Sequence, residues 1–345
     1  MKNVKIVKVY DIEKANAITH SGSFHADEVM STVLISKLIP QVNVCRTPKI
    51  DPDKIASDAI IYDIGGGEFD HHQRNFCSAR PNGIKYSSFG LLWKNFGMQL
   101  LSNVDDAKLV FDIFDKSFVC GIDAVDNGQL QRNTNVQVMT VSGVISEFNP
   151  NWDENVDPDE CFLKAVQFAE AIFDNAFEAA ISKAKAKNKI EAAIENSKNS
   201  IMVLDQFMPW QDFLYCSTNE KSKEILYVVF PSNRVGYNVY AVPDSPGSFH
   251  PKKPLPKNWA GLYGSKFAEA SGVPNASFCH PGRFICGAVD FKSALKLAKL
   301  AVVNSWWTKR ELFFTALFFY ALYWIMPKIS QLNLYKVTNQ LLNIS

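Results

Sequence analysis

The sequence DAIIYDIGGGEFDHHQRNF, residues 58–76, begins as an apolar run and ends in a cluster of acidic and imidazole side chains. The apolar run predicts a short buried strand that stops at Asp63, shortly before three glycines. Asp70, His71 and His72 then stand side by side, so two of the six histidines of the chain occupy adjacent positions. Carboxylates and imidazoles concentrated behind a strand end are typical of a site that binds a metal ion or another ligand.

The segments before this stretch complete an α/β pattern. NAITH, residues 16–20, predicts a strand, and an apolar-periodic run over residues 27–38 predicts a helix. VNVCRT, residues 42–47, predicts the next strand. Strand, helix, strand and strand in this order indicate a parallel sheet. Ligands of such sheets bind beyond the carboxyl ends of the strands, which is where we expect His20 and Asp63.

Composition limits the classes of protein that the chain can represent. With 345 residues, 47% of them hydrophobic, two domains with substantial cores are expected. A formal charge of +1 gives no global attraction for nucleic acid, so a polyanion would be held by a local patch or by metal. Seven scattered cysteines without a CxxC pair argue against a disulfide framework and a thiolate zinc site. They indicate a reducing compartment; the cytoplasm is expected, and an organelle stays open.

Changes in composition predict the domain boundaries. FNPNW and the acidic stretch after it, residues 148–160, indicate a boundary, and an alanine-rich segment over 160–198 predicts a long helix. Strand-like segments and a last helix follow, at 200–205, 224–231, 236–243 and 291–303. The resulting expectation is a metal-binding α/β domain over residues 1–155 and a helical linker over 156–199. A smaller α+β domain over 200–303 and an atypical tail over 304–345 follow.

The tail contains an unusual apolar segment, LFFTALFFYALYWIMP, residues 312–327. Its 16 residues carry no charge, but a membrane span needs about 20. A buried or partner-docked helix is the first expectation. A membrane-associated helix and an aberrant or disordered end stay open as alternatives.

Candidate metal ligands accumulate at the strand ends and loops of the first half. They are His20, His25, Asp27, Asp63, Asp70, His71, His72, Asp123 and Asp126. Imidazole and carboxylate ligands without thiolate favour Mn²⁺, Fe²⁺, Zn²⁺ or Mg²⁺. The set is too large for one ion with three or four protein ligands, so two ions that share a carboxylate are expected. Such a pair can clamp the attacking and leaving oxygens of a displacement at phosphorus.

Several ordered motifs resemble the Myg-type family, named after melanocyte proliferating gene one and also known as uncharacterised protein family 0160. They are THSGSFHADE (19–28), YDIGGGEFDHHQRNF (62–76), YSSFGLLW (86–93), DAVDNG (123–128) and SGVPNASFCHPGRFICG (271–287). The resemblance extends from about residue 15 to 300 and places the chain in the DHH phosphoesterase superfamily. It implies a DHH-type parallel-sheet domain followed by a smaller α+β, DHH-associated-like domain. It also implies metal-dependent phosphodiester hydrolysis, as in 3′-to-5′ exonucleases that act on RNA.

The resemblance implies specific roles for the candidate ligands. One metal ion is assigned to His20, His25 and Asp63. The other is assigned to Asp27, Asp63, His71 and Asp126, with Asp63 as the bridge. Two Mn²⁺ ions are the first expectation, with Mg²⁺ as the alternative. Many members of the superfamily have aspartate at the position of His25, so the first metal position of this chain is expected to be less anionic.

Other residues are assigned to the substrate and to the support of the ligands. His72 is expected near the scissile phosphate as an acid or electrostatic stabiliser, and Arg74 is expected to contact phosphate. Asp70 and Asp123 are expected to orient the imidazoles. The segment GRFICG only approximates the glycine-rich substrate motif of the superfamily. His280 and Arg283 are therefore candidates for nucleotide phosphate, with a purely structural turn as the open alternative.

The substrate expected from this resemblance is RNA or an oligonucleotide. Lys252 and Lys253 are candidates for its backbone, whereas His250 is expected to be a loop residue. No stable protein partner is predicted, and a homodimer stays open. Two other functions stay open: a phosphatase for small nucleotides or pyrophosphate, and a non-catalytic module that binds metal or nucleotide.

Overall fold

The computed structural model describes residues 5–130, 135, 136 and 138–303. Their contacts divide the chain into two units, the first ending at Lys185 and the second beginning at Ala186. Each unit has its own sheet and its own apolar core. The domain boundaries expected near residues 155 and 199 stay predictions.

The first unit contains a four-stranded parallel sheet. Its strands are β1 (Lys5–Lys8), β2 (Ala17–His20), β3 (Gln41–Thr47) and β4 (Ile60–Ile61). Their order is β1-β3-β2-β4, and every pair is parallel, which confirms the prediction of a parallel sheet. Sequence analysis missed β1, in which two lysines flank two apolar residues, because this short edge strand is only partly buried.

Helices surround the buried residues of this unit. They are α1 (Ala26–Leu38), α2 (Ser88–Leu100), α3 (Ala107–Phe114), α4 (Cys120–Asp126), α5 (Val141–Ser146) and the part of α6 (Pro158–Glu195) that precedes Ala186. Helix α1 is buried along nearly its whole length, which explains why apolar and small residues fill it. The ring of Trp93 lies 4.7 Å from that of Phe114, which lies 5.2 Å from Phe173. These aromatic contacts hold α2, α3 and α6 together in one core.

One turn of π-helix, Asp115–Val119, joins α3 to α4 without a break. The sequence alone does not predict this continuity. A π-turn inserts an extra residue into the helical repeat and is frequent near functional sites. Here it precedes the helix that carries Asp123 and Asp126.

The second unit contains a five-stranded mixed sheet. Its strands are β5 (Ile201–Val203), β6 (Tyr227–Pro231), β7 (Tyr237–Ala241), β8 (Ala276–Cys279) and β9 (Ile285–Ala288), in the order β5-β6-β7-β9-β8. Its helices are α7 (Gln211–Cys216), α8 (Lys221–Glu224), α9 (Gly264–Ser271) and α10 (291–303). The strands predicted within 200–205, 224–231 and 236–243 are confirmed as β5, β6 and β7. The segment 279–290, for which no strand is predicted, contains strand β9 and the end of β8.

A search of the described residues finds no helix with the length and apolar character needed to cross a bilayer. The apolar segment 312–327 and the whole tail 304–345 lie outside the described residues.

Candidate metal centre

The carboxyl ends of β2 and β4 bring His20 and Asp63 together. His20 is the last residue of β2, and its Nε2 lies 3.3 Å from Oδ2 of Asp63, which follows β4. Asp63 has a backbone φ of 59°, in the left-handed region that aspartate and asparagine tolerate better than most residues. His20 and Asp63 therefore meet at the carboxyl ends of the parallel strands, where the strand order predicts a ligand site.

The N-terminus of α1 adds three more groups. His25 is the N-cap, and Asp27 and Glu28 lie in the first turn without exposed surface. Oε1 of Glu28 accepts a hydrogen bond of 2.9 Å from the backbone N–H of His25 and lies 3.0 Å from Nε2 of His20. Sequence analysis did not assign Glu28 to the site. A glutamate three residues after the N-cap is usually interpreted as a helix-capping residue, and its proximity to His20 becomes evident only from the structure.

The adjacent histidines face different partners. Nε2 of His71 lies 2.9 Å from Oδ2 of Asp126, while its Nδ1 lies 3.5 Å from Oδ1 of Asp63 and 3.7 Å from Oδ2 of Asp27. Nδ1 of His72 lies 3.3 Å from Oδ1 of Asp63, and the His72 side chain is 60% exposed. One imidazole is thus enclosed by carboxylates, and the other faces solvent beside the same aspartate.

Asp70 holds the loop that carries these histidines. Its buried carboxylate accepts hydrogen bonds from the backbone N–H groups of Gly66 (2.7 Å) and His72 (3.0 Å). Its Oδ1 also lies 3.1 Å from Nδ1 of His72. Burial raises the pKa of Asp70, but these hydrogen bonds outweigh it and leave the pKa below its usual value. Asp70 therefore stays ionised and orients the His72 ring.

The N-terminus of α2 binds the carboxylates of Asp27 and Asp123. The backbone N–H groups of Ser88 and Phe89 donate to Asp27 at 2.8 and 2.7 Å, and that of Gly90 donates to Asp123 at 3.1 Å. Oγ of Ser87 lies between the same two acids, 2.5 Å from Asp27 and 2.6 Å from Asp123. Unpaired N–H groups at a helix N-terminus favour anions, so this helix stabilises the charge of both acids.

Asp123 belongs to an ion-pair network behind the site. Nη1 of Arg80 donates to its Oδ2 at 2.7 Å, and the guanidinium also binds both oxygens of Asp115. The recorded partners of Asp123 are Arg80, Ser87 and Gly90, and none of them is an imidazole. Burial raises the pKa of Asp123 to about 6, against the opposing effect of Arg80. Sequence analysis missed Arg80, which lies in a loop without periodicity.

The electrostatics of this cluster are those of a cation site. Burial, followed by the charges of Asp63 and Asp126, raises the pKa of Asp27 well above its usual value. Hydrogen bonds with Asp63 and then Glu28 raise the pKa of His20 to about 10. Burial lowers the pKa of His71, but its hydrogen bond with Asp126 and the charges of Asp126, Asp63 and Asp70 together outweigh burial and raise the pKa overall. Acids that resist ionisation beside imidazoles that retain protons indicate an excess of negative charge, which a bound metal ion would neutralise.

The donor atoms fall into three groups in which the atoms lie within 4.8 Å of one another. These are Asp63 with Asp70, His71 and His72; His20 with His25 and Glu28; and Asp27 with His71 and Asp126. A cavity of about 590 Å³ opens beside them, lined in part by His20, His25, Asp63, His72 and Asp126. Oε2 of Glu28 is buried without a hydrogen-bond partner among the described residues. The chemistry of the donors and this orphaned oxygen fit a divalent cation.

The remaining candidates have other surroundings. Arg74 is exposed in the loop after His72. His280 and Arg283 lie in the turn between β8 and β9 of the second unit. Nδ1 of His280 accepts a hydrogen bond from the N–H of Gly282, and Nη1 of Arg283 donates to the carbonyl of Leu255. Both side chains therefore have structural partners, His280 within the turn and Arg283 at Leu255, before the turn in the chain.

The loop 243–256 of the second unit carries the other basic candidates. His250 is exposed there, as expected for a loop residue. Lys252 and Lys253 are partly buried, and Nζ of Lys253 donates to the backbone carbonyl of Val302. Burial lowers the pKa of both lysines.

Comparison with known proteins identifies relatives over nearly the whole described chain. The profile of MYG1_exonuc, described as an uncharacterised protein family (UPF0160), matches residues 16–302. The MYG1 protein of Saccharomyces cerevisiae is 32% identical over 342 residues, covering 88% of this chain and 100% of the yeast protein. The MYG1 exonucleases of mouse and human are 30% and 29% identical to this chain. Both matches cover 83% of this chain, together with 84% of the mouse protein and 85% of the human protein.

No solved structure matches the chain significantly. The family match and the identity with the yeast protein confirm the resemblance to the Myg-type family that the motifs indicated. The chain belongs to the UPF0160 family of MYG1 proteins.

Proposed function

We propose that this protein is a metal-dependent phosphodiester hydrolase that acts as a 3′-to-5′ exonuclease on single-stranded RNA or short oligonucleotides. The observation that carries the proposal is the convergence of His20, His71 and His72 on the two oxygens of Asp63. The exonuclease names of the mouse and human relatives support the class of reaction. The preference for RNA and the direction of digestion rest on the resemblance to Myg-type proteins.

The proposal assigns two metal positions that share Asp63. Its Oδ2 faces His20 and its Oδ1 faces His71, which suits a carboxylate that bridges two ions. The first position comprises His20, His25 and Asp63, and the second comprises Asp27, Asp63, His71 and Asp126. When bound, two Mn²⁺ or Mg²⁺ ions would lower the pKa of a coordinated water and neutralise charge on the phosphoryl oxygens.

The surrounding residues would then position and protonate the substrate. His72 is exposed beside Asp63, and Asp70 fixes its ring through Nδ1. Its Nε2 is therefore the atom suited to donate a proton to the leaving oxygen or to stabilise its charge. Arg74, exposed two residues later, has the planar fork that binds phosphate oxygens. Asp123, held by Arg80, would act behind the site through Ser87 on the position of Asp27.

The second unit offers a cavity that suits nucleobases. It measures about 640 Å³ and is lined by aromatic side chains, including Phe207, Trp210, Phe230 and Tyr240. Arg234 and Asn238 also line it. Bases stack on aromatic faces without regard to sequence, and a guanidinium attracts phosphate. This composition favours an oligonucleotide over pyrophosphate, which has no base. It also supports the assignment of the two units as a DHH domain and a substrate-binding, DHH-associated-like domain.

The test is digestion of short single-stranded RNA by an Asp63 variant. Asn is the appropriate replacement, because Asp63 has a positive φ that alanine would adopt only with strain. Asp63→Asn should abolish Mn²⁺-dependent digestion and leave the circular dichroism spectrum unchanged. Asp58→Asn, an exposed carboxylate just before β4, is the matched control and should retain activity. Full activity of Asp63→Asn would contradict the proposal.

Substrate class and direction need separate measurements. RNA labelled at its 5′ end should yield a ladder of shortened labelled products, whereas 3′-labelled RNA should release labelled mononucleotide at once. A mononucleotide bisphosphate and pyrophosphate, assayed at the same Mn²⁺ concentration, should be poor substrates. Preferential hydrolysis of these small compounds would favour the phosphatase alternative. Tight RNA binding without turnover in any divalent metal would favour a non-catalytic module.

A further inference from the structure

Glu28 belongs to neither of the ligand sets described above, yet it lies inside the cluster. We propose that Glu28 is a ligand of the first metal position, together with His20, His25 and Asp63. It would give this position a second carboxylate beside Asp63. The inference rests on the proposed metal centre and adds Glu28 to its ligands.

The spacing of the donor atoms is that of neighbouring ligands on one cation. Oε1 of Glu28 lies 3.0 Å from Nε2 of His20, and the same Nε2 lies 3.3 Å from Oδ2 of Asp63. Two ligands bound at right angles, each about 2.1 Å from an octahedral ion, are about 3 Å apart. His25 also contributes a nitrogen within 4.8 Å of the donors of His20 and Glu28. Three donors from the end of β2 and the start of α1 thus lie within 4.8 Å of one another, and Asp63, from the loop after β4, lies beside His20.

The orientation of His20 supports a positive centre at this point. Its Nδ1 lies 3.1 Å from the backbone carbonyl of Ser21, a partner that only an N–H can satisfy. In the neutral imidazole, Nε2 is then the lone-pair nitrogen, and it faces two carboxylate oxygens. A positive centre must lie among these three atoms: in the metal-free protein it is a proton on Nε2, and a bound metal ion would take the place of that proton. A histidine whose second nitrogen is held by a carbonyl is the usual arrangement of a metal ligand.

Among the described residues, His20 is the only basic side chain close enough to the buried Glu28 carboxylate to pair with its charge. Its side chain has no exposed surface, and its Oε2 has no hydrogen-bond partner among the described residues. Neither lysine nor arginine is recorded in an ion pair with it in the described part of the chain. A buried carboxylate is costly unless a cation compensates it. With Asp63, Glu28 gives the first position two formal negative charges, which balance one divalent ion.

The competing explanation is that Glu28 only caps helix α1. It accepts a hydrogen bond from the backbone N–H of His25, and glutamate at this third helical position is a known capping residue. Glutamine performs the same capping role, because its side-chain carbonyl also accepts this bond. Glu28→Gln therefore removes the charge while keeping the cap, and it separates the two roles.

The experiment measures metal binding rather than activity. The full chain is stripped of metal and titrated with Mn²⁺ by calorimetry and by electron paramagnetic resonance of the free ion. The wild type should bind two ions per chain. Glu28→Gln should bind one ion with unchanged affinity and the other at least tenfold more weakly. Glu68→Gln, which removes an exposed carboxylate from the neighbouring loop, is the control for net charge and should bind as the wild type does.

Each outcome decides one part of the inference. Two ions bound to Glu28→Gln with wild-type affinities would overturn it and leave Glu28 as a helix cap. A wild type that binds no Mn²⁺, Mg²⁺ or Zn²⁺ would overturn the proposed metal centre itself. Far-ultraviolet circular dichroism of the metal-free variants establishes that they fold. If Glu28→Gln does not fold, Glu28→Asp replaces it, because the shorter carboxylate keeps the charge but cannot reach the same point; the same loss of affinity is expected.

Discussion

The Nε2 atom of His71 lies 2.9 Å from the Oδ2 atom of Asp126, the last residue of helix α4. This contact connects the loop after β4 to a helix that begins beyond the π-turn. Both side chains are assigned to the second metal position, and their hydrogen bond raises the pKa of His71. The pair therefore tests whether a carboxylate on α4 takes part in metal binding.

Asp126→Asn keeps the size of the side chain but removes its charge. We expect Mn²⁺ affinity at the second position to fall by about 100-fold and RNA digestion to fall at least as much, since altering even a residue that only supports a ligand costs about 10–100-fold. Asp112→Asn, an exposed acid of α3 paired with Lys108, is the control. Equal affinities for the two variants would exclude Asp126 from the site.

Metal binding should release a proton from His20. Asp63 and Glu28 raise the pKa of His20 to about 10, so at neutral pH the imidazole holds a proton that an incoming ion must displace. The affinity for Mn²⁺ should therefore increase with pH, by about tenfold per unit while the pH stays below 10. Calorimetry between pH 6.5 and 8.5, in buffers of different ionisation enthalpy, measures both the affinity and the proton. An affinity independent of pH would contradict the assignment of His20.

The parallel sheet and the edge that carries the ligands followed from the order of apolar strands and from aspartate and histidine at their ends. Residues identified only by tertiary proximity were missed. Glu28 resembles a helix cap in sequence, and Arg80 lies in a loop without periodicity. The hairpin of β8 and β9 was also missed, because its two four-residue strands include small and polar residues that carry little strand signal.

Gly90 tests how closely α2 must approach Asp123. A Cβ at Gly90 would lie 1.9 Å from Oδ2 of Asp123 and 2.9 Å from Cδ1 of Tyr86, so a side chain there must displace the carboxylate or the helix. Gly90→Ala should lower the free energy of unfolding by about 1–3 kcal/mol, as overpacking of buried sites does. Urea denaturation measures this change.

Gly121 provides the matched control for that substitution. It lies on α4, the helix that carries Asp123, and an added Cβ meets no atom within 4 Å. Gly121→Ala should raise the free energy of unfolding by about 0.5–1 kcal/mol, because alanine is the better helix former. Similar effects of the two substitutions would contradict the close contact of Gly90 with Asp123.

Arg80 should matter more for stability than for chemistry. Its buried guanidinium binds Asp115 and Asp123, so Arg80→Ala leaves Asp123 buried without its cation. Breaking a buried pair by removing one partner costs about 3–5 kcal/mol, which urea denaturation at pH 7.5 would detect. Arg74→Ala is the contrasting variant. Arg74 is exposed, so its loss should change stability by less than about 0.5 kcal/mol while weakening RNA binding. Equal stabilities of the two variants would contradict the network.

The aromatic cavity of the second unit predicts a specific effect on substrate affinity. Phe207 lines it, is 54% exposed, and has its ring 5.5 Å from that of Phe230. If nucleobases stack there, Phe207→Ala should raise KM for a short RNA by about 5–150-fold, the equivalent of about 1–3 kcal/mol for one stacked base. The turnover number should change little, because no metal ligand is altered.

Tyr10→Ala is the control for the loss of an exposed ring, since Tyr10 is 83% exposed and does not line that cavity. Its KM for RNA should equal that of the wild type. For a longer RNA, the ratio of the KM of the Phe207 variant to the KM of the wild type should be the same, because the cavity holds a limited number of bases. An unchanged KM for Phe207→Ala, or equal increases for both variants, would exclude this cavity as the site of base stacking.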